Sequence, residues 1–266
     1  MKNKMLYHYN EALKRYPENQ IIGVWCQGSQ NYGLDTPNSD LDTKLLVTPS
    51  FKSLALNQQA VSVTHVLDNN EHLDAKDIRL YVNCFYKQNL NFLEILFTPY
   101  FIINPVYEAQ WNRLIDAKEL IARMNPARGL MSMWGLARTK FKNLEHISPA
   151  SEEYIAKYGY VPKELHHLVR IDNFMTRFLH GESYEACMKP EGTMRKFLLD
   201  IKSGCYNLSE ARGLAELSIR HVDKMKEEFS ALEEKEDPKM RELLEDVSYN
   251  IMKISITNEL KEGDEL

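Results

Sequence analysis

The sequence is poor in several things at once. Its four cysteines, Cys26, Cys84, Cys187 and Cys205, are scattered with no close pair, which argues against a disulfide framework and against a cysteine zinc site. No window approaches the ~20 apolar residues that a membrane-spanning helix needs. Met1 to Asn10 carries charges and tyrosines and no apolar core of signal-peptide length. The expectation is therefore a cytoplasmic protein with no membrane partner. Internal repeats are absent. Positive charge is also short: 33 Lys and Arg against 38 Asp and Glu give a net charge of −5. That speaks against a broadly basic nucleic-acid surface and leaves only a local basic cleft open. What the chain does have is apolar mass. Its 266 residues are 44% hydrophobic, ample for a buried core and for two small domains.

Strand signals are confined to the first part of the chain. Leu6, Tyr9 and Leu13 share one helical face within Met5 to Tyr16, which Pro17 ends. Apolar runs predict strands over Ile21 to Gln27 and Asp40 to Val47, and alternation predicts another over 60–67. Asp77 stands before a helical run, Ile78 to Lys87, as an N-cap does. From Val106 onward amphipathic stretches dominate, over 106–123, 126–145, 151–158, 162–180, 190–203 and 208–233. The fold class is α+β: a small mixed-sheet domain over 1–120, then an all-helical domain over 121–232. Residues 233–266 form a charged C-terminal extension with one more helix, 239–254.

The most informative stretch is residues 28–42, Gly-Ser-Gln-Asn-Tyr-Gly-Leu-Asp-Thr-Pro-Asn-Ser-Asp-Leu-Asp. On a strand, Asp40 and Asp42 point to the same side. Two carboxylates so close repel one another. A hard cation such as Mg²⁺ (or Mn²⁺) removes that cost and takes phosphate oxygens besides. Gly28 and Ser29, after the first strand, supply backbone N–H groups and a hydroxyl where a phosphate fits. Phosphoryl transfer with two metals asks for a third acid. Asp74, between the apolar Leu73 and Ala75, is one candidate. Asp77 competes, though its place before Ile78 suits a helix cap, and Asp68 is a third candidate.

Gly28-Ser29, residues 30–39 as a spacer, then Asp40-x-Asp42 resemble the signature of the DNA polymerase β-like nucleotidyltransferase superfamily. The resemblance extends further, to nucleotidyltransferases of the YcgL/RlaP type, one branch of which is linked to RNA repair. Tyr32 and Gly33 match the family's Gly-Ser-x-x-Tyr-Gly. Asp77-Ile78-Arg79 resembles its Asp-Leu-Arg helix, and Asn89 to Glu94 its Asn-Pro-x-x-x-Glu segment, with Leu90 in place of the proline. Tyr158-Gly159-Tyr160, Lys163, His167 to Arg170 and Gly181 resemble its helical motif, and Leu198 to Gly204 follow in order.

The resemblance implies a metal-dependent transfer of a nucleoside monophosphate, with pyrophosphate released. Asp40, Asp42 and Asp74 would be the metal ligands. Asp74, or else Asp77, would activate an acceptor hydroxyl on an RNA end, a protein or a small molecule. Gly28, Ser29, Tyr32, Lys163, His167 and Arg170 would contact the nucleoside triphosphate. Lys163, His167 and Arg170 also share one helix face by spacing alone, at i, i+4 and i+7, and Arg offers phosphate a planar fork. Two rival classes share these residues: a non-catalytic nucleotide-binding regulator, and a toxin–antitoxin or antiviral partner that keeps the fold.

Overall fold

Ile21–Gln27 forms the first strand, β1, buried along all but its last residue. In this computed structural model residues 1–37 and 39–264 are described. Asn38, inside the 30–39 spacer, and Glu265 and Leu266, at the end of the 233–266 extension, lie outside the described residues. Four more strands follow, β2 (Asp42–Val47), β3 (Ser62–Val66), β4 (His72–Asp77) and β5 (Phe101–Ile103). The sheet order is β3-β4-β2-β1-β5. β1 is antiparallel to β2 and β5, and β2 is parallel to β4. The mixed α+β class is therefore as the sequence predicts. β5 is not: three residues are too few for a period-2 pattern to register.

By contacts the chain forms two compact units. One comprises Met1–Asn31, Asp35–Met124 and Glu236–Leu266, the other Tyr32–Leu34 and Asn125–Lys235. In the sheet unit, helix α1 (Lys2–Leu13) covers one sheet face. Its Met5 and Ala12 join Val24, Cys26, Leu41, Leu45, Val47, Leu73 and Ala75 in one core. The periodicity is misleading there. Leu6 and Leu13 are exposed and the buried face is Met5, His8, Glu11 and Ala12, because His8 and Glu11 enter polar networks that reward burial. On the other face Trp25 meets Trp111 of α5 (Pro105–Asp116), ring centroids 4.3 Å apart. β1 approaches β5 closely at Gly23, where a Cβ would stand 2.7 Å from the Ile102 carbonyl oxygen.

Between these lie α2 (Phe51–Ala55), α3 (Ile78–Tyr86), α4 (Leu90–Leu93) and α6 (Lys118–Ala122). Ser50 caps α2, Asp77 caps α3 and Asn89 caps α4, each through its side-chain oxygen. The final helix, α13 (Pro238–Asp264), runs longer than 239–254 and belongs to the sheet unit. Ser255 meets Thr48 at 2.6 Å, and Glu259 accepts from the Phe51 N–H at 2.8 Å.

The helical unit is built of α7 (Pro126–Asn143), α8 (Glu152–Tyr158), α9 (Pro162–Leu179), α10 (Tyr184–Met188), α11 (Gly192–Ser203) and α12 (Leu208–Phe229). α9 is central and packs against α7, α10, α11 and α12. A capping box of Asn207 and Glu210 opens α12. Among the described residues no helix is long and apolar enough to cross a membrane.

Candidate active site

β1 ends at Gln27, whose partner in the antiparallel ladder is Asp42. The next residue, Gly28, turns the chain at φ +90°, with nothing within 4 Å of where a Cβ would stand. The Gly28-Ser29 turn and Asp42 thus lie at the same end of the sheet. Ser29–Tyr32 then forms a short 3₁₀ turn. Gln30 ties that turn to the first aspartate: its Nε2 donates to the Asp40 carbonyl at 2.8 Å.

The second strand starts two residues later than the apolar pattern predicts, at Asp42 rather than Asp40. The reason lies in the backbone groups there. The Leu41 N–H donates to Glu71 Oε1 at 2.9 Å, and the Asp40 carbonyl is taken by Gln30. Both groups are satisfied by side chains and leave the ladder. Strand alternation therefore does not extend to Asp40, which is exposed, while Asp42 is half-buried. Among the described residues the Asp40 carboxylate has no hydrogen bond. Asp42 uses one oxygen, Oδ1, which accepts from the His72 N–H at 3.0 Å and lies 3.0 Å from His72 Nδ1.

The three candidates for the third acid go to three places. Asp74 lies on β4 opposite Lys44, on the sheet face that Asp42 shares. Its Oδ2 accepts from Lys44 Nζ at 2.6 Å, and its Oδ1 from Thr64 Oγ1 at 3.3 Å. Asp77 falls on the opposite face by strand parity. It is buried, caps α3 through the Arg79 N–H, and holds the Arg79 guanidinium at 2.9 and 2.6 Å. Asp68 sits in the exposed turn after β3.

Two further acids stand around this end: Glu71, which was not singled out from sequence, and Glu94, which entered there only as the end of the Asn89 to Glu94 segment. Glu71 grips Leu41, between the two aspartates. Burial pushes its carboxyl up, yet bonds from His8, the Leu41 N–H and Asn69 outweigh that and hold it below its usual value. Glu94 is only 4% exposed, and its Oε2 accepts from the Gly28 N–H at 3.4 Å. Its signal was a lone charge inside the apolar run Phe92 to Phe97. Burial first, then Glu94, Asp42 and Asp35, push the neighbouring Cys26 thiol up to about 12. That thiol is a small buried hydrophobe and no nucleophile.

In the helical unit, α9 carries the three basic candidates in a gradient from water to core. Lys163 is exposed, His167 half-buried and Arg170 only 6% exposed. The Arg170 guanidinium lies 3.8 Å from the centre of the Tyr32 ring, and its Nη1 has no hydrogen-bond partner among the described residues. Two cations of α11 hold the next two residues of the same loop. Arg195 Nε donates to the Gly33 carbonyl at 2.9 Å, and Lys202 Nζ to the Leu34 carbonyl at 2.8 Å. This is how Tyr32–Leu34 comes to belong to the helical unit.

The surroundings of the two histidines beside Arg170 disfavour their charged forms. Burial, and then the Arg170 charge, hold His167 well below its ordinary value. Burial lowers His166 to about 4, against the raising effect of the Leu198 carbonyl, to which its Nδ1 donates at 2.9 Å.

Among the described residues no cluster of three or more His, Cys, Asp or Glu side chains forms a ready metal cage. Compared with models of protein families and with curated proteins, the chain has no match.

Proposed function

We propose that this chain is a Mg²⁺-dependent nucleotidyltransferase, moving a nucleoside monophosphate from a triphosphate to an acceptor hydroxyl and releasing pyrophosphate. The observation that supports it most is the Gln27–Asp42 register, which brings an open Gly-Ser turn to the strand end that begins with Asp42, two residues after Asp40. A triphosphate needs donors on one side and a hard cation on the other. Ser29 and the backbone after Gly28 are the donors. Asp40 and Asp42 suit the cation: both are oxygen donors, neither is paired with a lysine or arginine among the described residues, and Asp42 keeps Oδ2 without a hydrogen bond. When bound there, the cation polarises the phosphates and neutralises their charge. Gln30 and Glu71 keep the two carboxylates at the turn by holding the backbone of Asp40 and Leu41.

For the helical unit the resemblance implies a cationic face that meets phosphate. Lys163 is exposed for contact, and Arg170 has a spare donor. The acceptor class spans an RNA end, a protein hydroxyl and a small molecule, and the acidic composition favours a short footprint if it is RNA.

The test is incubation with each α-labelled nucleoside triphosphate, Mg²⁺ or Mn²⁺, and pools of RNA or protein. Label transfer is expected from the wild type and should be lost in Asp40→Ala and Asp42→Ala with the fold intact. A folded Asp40→Ala/Asp42→Ala variant with near-normal transfer would overturn the reading.

A further inference from the structure

Lys44 stands where an apolar residue is expected. It lies in the middle of β2, only 6% exposed, two residues after Asp42 and on the same sheet face. Burying an ammonium is costly unless it is paired, and here the pairing is complete. Nζ donates to Asp74 Oδ2 at 2.6 Å and lies 4.3 Å from the centre of the Phe92 ring. The parallel register sets Asp74 against Lys44 and leaves His72, not an acid, beside Asp42. Both oxygens of Asp74 are in use, one by Lys44 and one by Thr64.

The candidate third acid therefore does not fit a second divalent ion. Such an ion would have to displace an ammonium that is tethered to the next strand and has no other carboxylate among its bonds. Two cations at that spot would repel one another in a half-buried setting.

Taking Asp40 and Asp42 as the cation's ligands, as proposed above, we infer that Lys44 stands in for the second metal. The site takes one divalent cation per chain, at Asp40 and Asp42. Asp74 is a positioning residue whose work is to hold Lys44, and the Lys44 ammonium supplies on this sheet face the positive charge that a second ion would bring.

Counting bound Mn²⁺ on the full chain tests this, with the free-ion electron paramagnetic resonance signal as readout. The titration is run with and without α,β-methylene ATP, whose α–β bridge cannot be cleaved. The wild type should bind one ion per chain above the level of Asp40→Ala/Asp42→Ala. Lys44→Met should free Asp74 and bind two, and Lys44→Met/Asp74→Asn should return to one. Lys44→Arg, which keeps the charge, should stay at one.

Two ions in the wild type would overturn the inference and leave the nucleotidyltransferase reading standing. No ion above the double-alanine control would overturn both. One ion in a folded Lys44→Met variant would also count against Lys44. Should Lys44→Met fail to fold, the wild-type and Lys44→Arg stoichiometries decide by themselves.

Discussion

The two units treat their buried charges in opposite ways. In the sheet unit three buried charges have matched partners: Lys44 has Asp74, Asp77 has Arg79, and Glu71 has His8 and the Leu41 N–H. In the helical unit burial discharges the histidines instead. His166 and His167 are pushed toward the neutral form, and Arg170 rests on a tyrosine ring with one donor unmet. Paired charges have fixed positions, because removing either partner strands the other. They suit a site that must hold an ion in one place. A lone guanidinium among neutral imidazoles keeps its charge available, which suits a region that meets an anion.

The largest effect expected from this contrast is on pH dependence. His166 has a folded value of about 4 against an unfolded value of about 6.5. Below about 6.5 the unfolded chain takes up a proton that the folded chain refuses, so stability falls as pH drops from about 6.5 to about 4. The loss is on the order of 3 kcal/mol. Urea denaturation across that range should show the slope, and His166→Asn, which keeps a donor for Leu198, should flatten it. An equal slope in both proteins would break the contrast.

Next in size is Asp77→Ala. It strands the Arg79 guanidinium and uncaps α3, and should cost about 2 kcal/mol, read as a lower urea midpoint. Activity per folded molecule should persist, since Asp77 faces away from Asp42 and Asp74. Loss of the chemical step in a folded Asp77→Asn protein would give Asp77 a catalytic role and break the contrast.

Glu71→Gln should cost about 1 kcal/mol at neutral pH. Its carboxyl is held below the ordinary carboxylate value, so its contribution is present above about pH 4.3 and fades as pH falls through the lower folded value. The wild-type and Glu71→Gln stability curves should therefore converge in acid, and curves that stay parallel would remove Glu71 from the paired set.

Smallest should be Arg170→Met, which removes a buried charge that has no ionic partner among the described residues. Stability should change by less than about 1 kcal/mol, the lost contact with Tyr32 being offset by relief of desolvation. Calorimetric affinity for α,β-methylene ATP should fall all the same, more at low salt, with Arg170→Lys restoring only part.

How much of this was legible in the sequence follows the distance over which each feature acts. The cap at Asp77, the strand at Ile21–Gln27 and the helices of the second half depend on neighbours within a turn or two, and periodicity and capping residues reveal them. The Gly28-Ser29 turn and Asp42 were legible as a pattern. Their adjacency was not, since it depends on the register of β1 with β2. Lys44 and Asp74 are 30 residues apart, and nothing local in either marks the bond. The grip of Glu71 on Leu41 is equally remote in sequence, and it moved the start of β2. The hydrophobic face of α1 misled because the residues that face the sheet are a histidine, a glutamate and two small or flexible apolar side chains. The assignment of Tyr32–Leu34 to the helical unit rests on cations 138 to 168 residues farther along.

The return of α13 to the sheet unit has a consequence for how the protein is made. Chains leave the ribosome from the N-terminus, and units fold as they become complete. All of the helical unit's sequence emerges before α13 does. Its three loop residues, Tyr32–Leu34, are delivered early and wait for α9 and α11. The sheet unit meanwhile lacks the helix that meets Thr48 across 207 residues of chain, with closure entropy to match. The element translated first is thus finished last, and for the time it takes to synthesise the helical unit the nascent sheet stands without the side chains of Val247, Ile251 and Ser255 that end up buried.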